Sequence, residues 1–279
     1  MRHILRGATA EDLRAGLVEL PGHLDLDPFT REMYGSVDNN AAAQMTGYLG
    51  WFSGDATDLA PLPRAERASR TVTLMGGHDR VLKAARAALD DGDGQWCAEL
   101  AGLCVSVDTE DHEARRLKAA GLRLLGYAEQ NAPRRNFYLT GALELEGAFD
   151  PAAVGALARK TLTSASTPLL GLLDTFRFNV VPSRARSRRL VVDVVLSDSG
   201  ERARLELRHS VLRVDKTADD PEAALSLPKA RFLALASGST TWDTLQQDEA
   251  VEVAGDSEAL ARFLACFDLT PPRVQLHVR

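Results

Sequence analysis

Residues 190–208 read LVVDVVLSDSGERARLELR, and this stretch decides the fold of the second half of the chain. Its first seven residues are apolar except for Asp193, which is typical of a central strand covered on both faces. A hairpin turn follows at Asp198-Ser199-Gly200. Alanine or leucine then alternates with arginine or glutamate over 202–208, so the second strand has one buried face and one solvated face. The pattern predicts an antiparallel strand pair.

Further strands and helices surround this hairpin. Alternating apolar residues predict strands at 176–180, 211–214, 223–227, 251–253 and 274–278. Helical spacing and capping residues predict helices that begin near residues 151, 168, 228 and 257. We therefore expect an α+β domain over residues 150–279, with an antiparallel sheet and helices packed on one face.

The first half, residues 1–147, is predicted to be helical. Apolar stripes at helical spacing follow Val81, Trp96 and Ala114, and Asp108-Thr109 offers a cap for the third of these helices. A fourth helix is expected from about Arg134 to Glu146. Antiparallel helices with short turns resemble tetratricopeptide-type hairpins, although no second copy at a fixed period is visible. The fold class is thus α followed by α+β.

The stretch from 20 to 63 has a different composition, because prolines and glycines interrupt it repeatedly. It is predicted to be irregular, and it is rich in large aromatic side chains: Phe29, Tyr34, Tyr48, Trp51 and Phe52. Large rings in irregular chain normally pack against another surface. Another subunit is one candidate for that surface.

Net charge, apolar run length and cysteine count exclude several classes of protein. With 33 basic and 39 acidic residues the formal net charge is −6, which gives no electrostatic reason to expect a nucleic acid partner. No apolar run is long enough for a membrane span, and the N-terminus lacks the apolar core of a secretion signal. Three cysteines cannot form a disulfide framework, so we expect reduced, buried thiols in a cytoplasmic protein.

Motifs for common chemistries are missing from the sequence. The six histidines are scattered, and no HxH, HxxxH or CxxC spacing occurs, so neither a metal nor another cofactor is expected. Neither GxSxG nor a Walker sequence is present. The pair Arg134-Arg135 has two interpretations, contact with an anion or a solvated surface.

Polar groups are concentrated in REMYGSVDNN at 31–40. The hydrogen-bonding residues there, which are the candidate site positions, are Tyr34, Ser36, Asp38, Asn39 and Asn40. Because asparagine and aspartate also favour turns and helix caps, the segment is either a ligand site or a local structural device.

Four segments carry motifs in a fixed order: YGSVDNN at 34–40, YLGWFSG at 48–54, LMGG at 74–77 and RNFYLTGA at 135–142. Together they resemble the C-terminal half of the alkyl sulfatases of the metallo-β-lactamase superfamily, whose corresponding segments read YGTVSHN, YLGWFDGNP, LMGG and RNFYLTGA. Gly255-Asp256 and the helix after it resemble the closing part of a sterol-carrier-type domain.

The resemblance implies a helical dimerisation domain over 1–147 and a sterol-carrier-like domain over 150–279. With a dimerisation domain, the five aromatic residues of the 20–63 stretch are expected at or near the interface of a homodimer. The resemblance also implies two absences. The family's two-zinc domain precedes the matched region and has no counterpart in this sequence. The histidine of YGTVSHN, a proton donor in the family, corresponds to Asn39, and an amide cannot act as a general acid at neutral pH.

These expectations favour a non-catalytic protein that dimerises and binds an apolar or alkyl-chain ligand in its C-terminal half. The apolar residues expected to line a tunnel are Leu169, Leu173, Phe178, Phe232, Leu235, Trp242, Phe263 and Phe267. For most of them individually, core packing is the favoured alternative.

Two enzymatic hypotheses remain. The chain could be one subunit of a split alkyl sulfatase or lactamase-like hydrolase, a sulfuric ester hydrolase only in complex with a separate zinc-domain subunit. Alternatively, it could perform new chemistry with Tyr34, Asp38 and Asn39. Alone, the chain is expected not to be an enzyme.

Overall fold

The computed structural model describes residues 2–148, 166–214 and 220–270. Contacts between residues divide the chain into two compact units, one within Met1–Asp150 and the other within Pro151–Val274. The first unit is helical and the second combines a sheet with helices, so the expected fold class is confirmed. No helix among the described residues is both long and apolar enough to cross a membrane.

The first unit has six longer helices among its described residues, and from the second of them onward the connections are short. The six helices are α1 (Val37–Leu49), α2 (Arg64–Leu74), α3 (His78–Asp90), α4 (Gly94–Val107), α5 (His112–Ala128) and α6 (Ala132–Leu145). Shorter helical turns lie at Ile4–Arg6, Ala10–Asp12, Leu13–Leu17, Gly22–Asp25 and Ala56–Leu59.

Helix α1 corrects the sequence-based expectation of irregular chain from 20 to 63. Apart from Ala42 its side chains stay at least partly accessible, so it has no regular apolar stripe from which the sequence would reveal it. The helix after Val107 also begins later than expected. Its cap is Asp111, whose carboxylate accepts hydrogen bonds from the backbone amides of Glu113 and Ala114, rather than Asp108-Thr109.

The core of the helical unit lies where α2 to α6 pack together. Its fully buried members include Val81, Ala85, Cys97, Leu100, Ala101, Val105 and Ala114. Helices α4 and α5 approach so closely that a Cβ on Gly121 would lie 2.6 Å from the Gly94 carbonyl oxygen. Glycine at both positions is what allows the two backbones to meet.

The second unit contains a five-stranded sheet. Its strands are β1 (Arg189–Leu196), β2 (Arg202–Arg208), β3 (Val211–Val214), β4 (Ala223–Leu227) and β5 (Glu252–Gly255), in the order β3-β2-β1-β4-β5. Three neighbouring pairs are antiparallel, but β1 and β4 are parallel. The sheet is therefore mixed rather than antiparallel throughout. Periodicity identifies strands and their buried faces, but it does not say which strands become neighbours.

One face of this sheet carries the core. Val192 of β1 pairs with Leu205 of β2 and with Ala223 of β4, and all three side chains are buried. Helices α7 (Leu169–Phe176), α8 (Lys229–Ala236) and α9 (Ser257–Leu264) contribute buried leucine and phenylalanine side chains to the same core. Short helices also occur at Pro182–Ala185 and Trp242–Leu245.

The strand expected at 176–180 is wrong. Phe176 ends α7, and Arg177–Asn179 forms a single helical turn, after which Val180 makes one isolated bridge to Phe267. Alternation over five residues is too short to distinguish a strand from a helix end followed by a turn. The helix expected after residue 151 and the strand expected at 274–278 lie outside the described residues.

Candidate functional site

The segment 31–40 leads directly into α1. Ser36 precedes the helix and is buried, Asp38 is half-buried in the first turn, and Asn39 and Asn40 are exposed. Tyr34 is also exposed. The candidate residues therefore do not converge on a single enclosed site.

Arg134, in the first turn of α6, is the centre of the polar contacts around this segment. Its Nη2 atom donates to Asp38 Oδ2 at 2.7 Å and to Ser36 Oγ at 3.0 Å. Its Nη1 atom lies 3.5 Å from Glu129 Oε2. Arg134 thus contacts two of the five candidate residues. Of the two interpretations of Arg134-Arg135, these contacts favour contact with an anion, and the anion is a carboxylate of the same chain.

Asn131 adds a second attachment between the segment and α6. Its Oδ1 atom accepts the Arg134 amide and caps α6, while its Nδ2 atom donates to the carbonyl oxygens of Gly35 at 2.9 Å and Glu32 at 3.2 Å. The Ala132 amide donates to the Met33 carbonyl at 2.8 Å. The side chain is buried, and each of its polar atoms is used. Residues 32–38 are therefore fixed to the start of α6, an arrangement we call the α1–α6 clamp.

Sequence reasoning missed Asn131 as a member of this site. The only local signal was its position before Ala-Pro, which is typical of a helix N-terminus. Contacts across almost a hundred residues leave no mark in local periodicity.

Electrostatics hold Asp38 in its charged form. Burial alone would raise the pKa of its carboxyl, but hydrogen bonds from Ser36, the Asn39 amide and Arg134 outweigh that effect and lower it. A carboxylate held in this way is a weak general base, because its proton affinity is reduced and its oxygens are occupied. The neighbouring Asn39 offers only an amide.

A histidine lies near the LMGG turn between α2 and α3. His78 Nε2 is 2.6 Å from Asp111 Oδ2, and Nδ1 is 3.1 Å from Asp79 Oδ1. Hydrogen bonds to Asp111 and Asp79 raise the pKa of His78. Because Asp111 also caps α5, this contact connects the starts of α3 and α5. Among the described residues no group of three or more His, Cys, Asp or Glu side chains is placed to hold a metal ion.

Six of the expected tunnel residues lie in the packed core of the second unit: Leu169, Leu173, Phe232, Leu235, Phe263 and Phe267. Phe176 stacks on Phe267 with ring centroids 4.5 Å apart, and Phe263 lies 5.1 Å from Phe267. Phe178 is 82% exposed. Trp242 is only partly buried and lines a surface cavity of about 440 Å³ together with Val251 and Val253. The structure thus brings six residues together as packed side chains, and Trp242 packs against this core while it borders the cavity.

The five aromatic residues of the 20–63 stretch are accessible in the single chain. Phe29 is 95% exposed and Trp51 is 74% exposed, and Trp51 contacts Phe52 edge to face at 5.7 Å. Exposed aromatic rings concentrated in one stretch of the chain are typical of an interaction surface.

Known proteins are similar to this chain in both of its units. Residues 9–148 match the family model for alkyl sulfatase dimerisation, and residues 158–276 match the model for the alkyl sulfatase C-terminal region. A linear primary-alkylsulfatase from a Pseudomonas species is 36% identical over 100% of this chain and 54% of its own length. An alkyl/aryl-sulfatase from Saccharomyces cerevisiae is 28% identical over 96% of this chain and 41% of its own length.

A solved structure of an alkylsulfatase is also similar to this chain. The stereoselective inverting sec-alkylsulfatase from Pseudomonas sp. superposes with a TM-score of 0.77 at 29% identity, covering 96% of this chain and 42% of that one. The chain thus spans about half the length of the curated relatives it matches. It belongs to the alkyl sulfatase family, of which it carries the dimerisation and C-terminal regions.

Proposed function

We propose that the 279-residue chain is not a sulfatase by itself, and that it is an alkyl-sulfatase-like protein that self-associates and binds an apolar alkyl chain. The observation that carries the first part of this proposal, the lack of sulfatase activity, is the α1–α6 clamp. Asp38 is occupied by Arg134, and the position of the family's proton donor is Asn39, whose amide cannot protonate a leaving alkoxide. The ion pair between Asp38 and Arg134 also argues against the hypothesis of new acid–base chemistry with Tyr34, Asp38 and Asn39.

The test of the catalytic part measures zinc content and dodecyl sulfate hydrolysis on the pure chain. We expect no stoichiometric zinc and no turnover, both in the natural sequence and in Asn39→His, which restores the imidazole but supplies no metal. Turnover that a chelator abolishes would contradict the proposal. The matched control is Asn40→His, which adds the same group one position further along α1.

Self-association is proposed to proceed through the helical unit as a homodimer, with Phe29, Tyr34, Tyr48, Trp51 and Phe52 at or near the interface. Their exposure in the single chain and the match to a dimerisation model support this assignment. We propose domain limits of 1–147 and 150–279, and a cytoplasmic location. The three cysteines are free and buried, which fits a reducing compartment.

Ligand binding is proposed for the C-terminal unit, with the alkyl chain entering beside Trp242. The cavity there borders α9, and Phe263 lies one turn of that helix beyond its first buried residue, Ala259. Each buried methylene should add about 0.8 kcal/mol to the binding free energy. Affinity for alkyl alcohols of increasing length should therefore rise and then level off, and Phe263→Trp should shorten the optimum. If the folded protein binds no alkyl alcohol of any length, the better account is that the C-terminal unit only braces the dimer.

The split hydrolase remains a second candidate, with its zinc domain on another chain. One observation favours it: the clamp fixes the backbone of 32–38, while Tyr34, Asn39 and Asn40 stay exposed and could face another domain. Native mass spectrometry of the complex isolated from its own cells would distinguish the candidates. A stable zinc-containing partner chain would favour the split hydrolase, and a homodimer without one would favour the first proposal.

A further inference from the structure

A groove of about 580 Å³ lies on the helical unit, lined by residues of α2, α4, α5 and α6. Its size falls within the range of about 300–1,000 Å³ that is typical of small-molecule sites. None of the candidate residues from the sequence lies in it. It belongs to the helical unit, whereas the alkyl-chain ligand proposed above belongs to the sheet unit.

The groove has two distinguishable ends. Arg64 Nε at the start of α2 donates to Ser106 Oγ at 3.1 Å, near the end of α4. Trp96, at the start of α4, also lines the groove. Ten residues of helix separate Ser106 from Trp96, so the ends lie about 15 Å apart at 1.5 Å per residue.

Positive charge is concentrated toward the Ser106 end. Arg64 and Arg67 line this end from α2, and Lys118 reaches it from α5 across Gly102, where a Cβ would lie 3.7 Å from Lys118 Cε. Burial and the charge of Arg64 lower the pKa of Lys118, while Glu144 opposes the shift. No hydrogen bond or ion pair joins the Arg67 guanidinium to another residue in the parts of the chain that the structure describes.

The remaining wall toward Trp96 is apolar. Leu100 and Leu103 lie on the α4 side, Leu122 on α5 and Tyr138 on α6, and the ring of Trp96 is half-exposed at the rim. One acidic residue, Glu99, also lines the groove. Gln95 Nε2 donates to its Oε1 atom at 2.6 Å, so the carboxylate is held beside Gln95. The three cations outnumber Glu99 and the Glu144 carboxylate that acts on Lys118, so the groove carries a net positive charge.

We propose that this groove binds a single-chain anionic amphiphile, with its headgroup on Arg64 and Arg67 and its alkyl chain along Leu103 toward Trp96. Both properties of the ligand follow from the lining, because cations recognise the anion and the apolar wall removes the chain from water. Sulfate and carboxylate headgroups share this chemistry.

The test is calorimetric titration of the full chain with octyl sulfate below its micelle concentration. Octanoate and octanol are the matched probes for headgroup identity and charge. We expect octyl sulfate or octanoate to bind at least tenfold more tightly than octanol. Whichever anion binds more tightly identifies the preferred headgroup. Equal binding of all three would overturn the proposal, and so would no binding.

Arg67→Gln and Arg67→Glu are the decisive variants, because the guanidinium makes no hydrogen bond or ion pair within the described residues that the substitution would remove. We expect at least fivefold weaker octyl sulfate binding in the groove for Arg67→Gln and loss of the groove binding for Arg67→Glu, whereas any binding in the C-terminal unit should be the same in both variants. Arg70→Gln is the matched control on the same helix, outside the groove, and should bind normally.

Two outcomes of these variants would overturn the proposal. The first is equal binding by the Arg67 and Arg70 variants. The second is a weakened dimer with unchanged octyl sulfate affinity, which would assign the groove to a second copy of the chain. Phe263→Trp should leave groove binding unchanged, so failure of the C-terminal ligand proposal is separable from failure of this one.

Discussion

Arg134 at the start of α6 forms an ion pair with Asp38 at the start of α1, with Nη2 2.7 Å from Oδ2 across 96 residues of sequence. The same guanidinium donates a hydrogen bond to the buried Ser36 hydroxyl. This contact joins two of the four segments that match the family, YGSVDNN and RNFYLTGA, because Arg134 immediately precedes the second of them. The YGSVDNN motif therefore has a structural role in this chain.

Arg134→Gln should destabilise the helical unit by about 1–2 kcal/mol, since it removes a partly buried, charge-assisted pair. Chemical denaturation followed by tryptophan fluorescence measures the loss. Arg70→Gln is the control, because the Arg70–Glu66 pair is exposed and should contribute about 0.5 kcal/mol or less. Equal effects of the two substitutions would show that the clamp adds no stability.

Stability should also depend on pH through Asp38. Because its pKa is lowered from 3.8 in the folded chain, its contribution is complete above about pH 4 and is lost as the pH falls through the folded value. Asp38→Asn should flatten this part of the stability curve. An acid titration of the unfolding free energy in both proteins checks it, and parallel curves would contradict the assignment.

His78 should give the opposite dependence. Its folded pKa is raised above 6.5, so its contribution is complete below pH 6.5 and is lost as the pH rises through the folded value. The difference in unfolding free energy between the natural chain and His78→Gln should therefore shrink from pH 6 to pH 9. Asp111→Asn keeps an oxygen to cap α5 but removes the charge, so it should weaken the same trend, of which Asp79 retains a part. A difference that grows with pH would refute this account.

Trp51→Ala should weaken self-association by about 2 kcal/mol, roughly 30-fold in dissociation constant, if Trp51 is a central contact. Sedimentation equilibrium over a range of concentrations measures it. Phe178→Ala is the control, because that ring is equally accessible but belongs to the other unit. A fully dimeric Trp51→Ala protein would remove this residue from the interface.

Gly121→Ala should destabilise the chain by about 1–3 kcal/mol, because its Cβ would lie 2.6 Å from the Gly94 carbonyl oxygen and force α4 and α5 apart. Gly102→Ala is a matched control in the same helix pair. Its Cβ would make ordinary contact with Lys118, and alanine should stabilise the helix by about 0.5–1 kcal/mol. Thermal unfolding of both variants should show shifts of opposite sign.

Family motifs and local periodicity in the sequence were sufficient for several features. The motifs at 34–40, 48–54, 74–77 and 135–142 identified the family. Alternation over 190–208 identified two adjacent strands, and Asp198-Ser199-Gly200 identified the turn between them. These features are local, so the residues that cause them are neighbours in sequence.

Other features depended on contacts between distant segments. Helix α1 has no apolar stripe, and its N-terminus is fixed by Arg134 and Asn131. The parallel pairing of β1 with β4 depends on which strand occupies the free edge of β1, and alternation is the same for either orientation. The sequence determined which residues seek burial and which family they belong to. The tertiary structure decided which charges meet, because an ion pair depends on distance in space and not on separation along the chain.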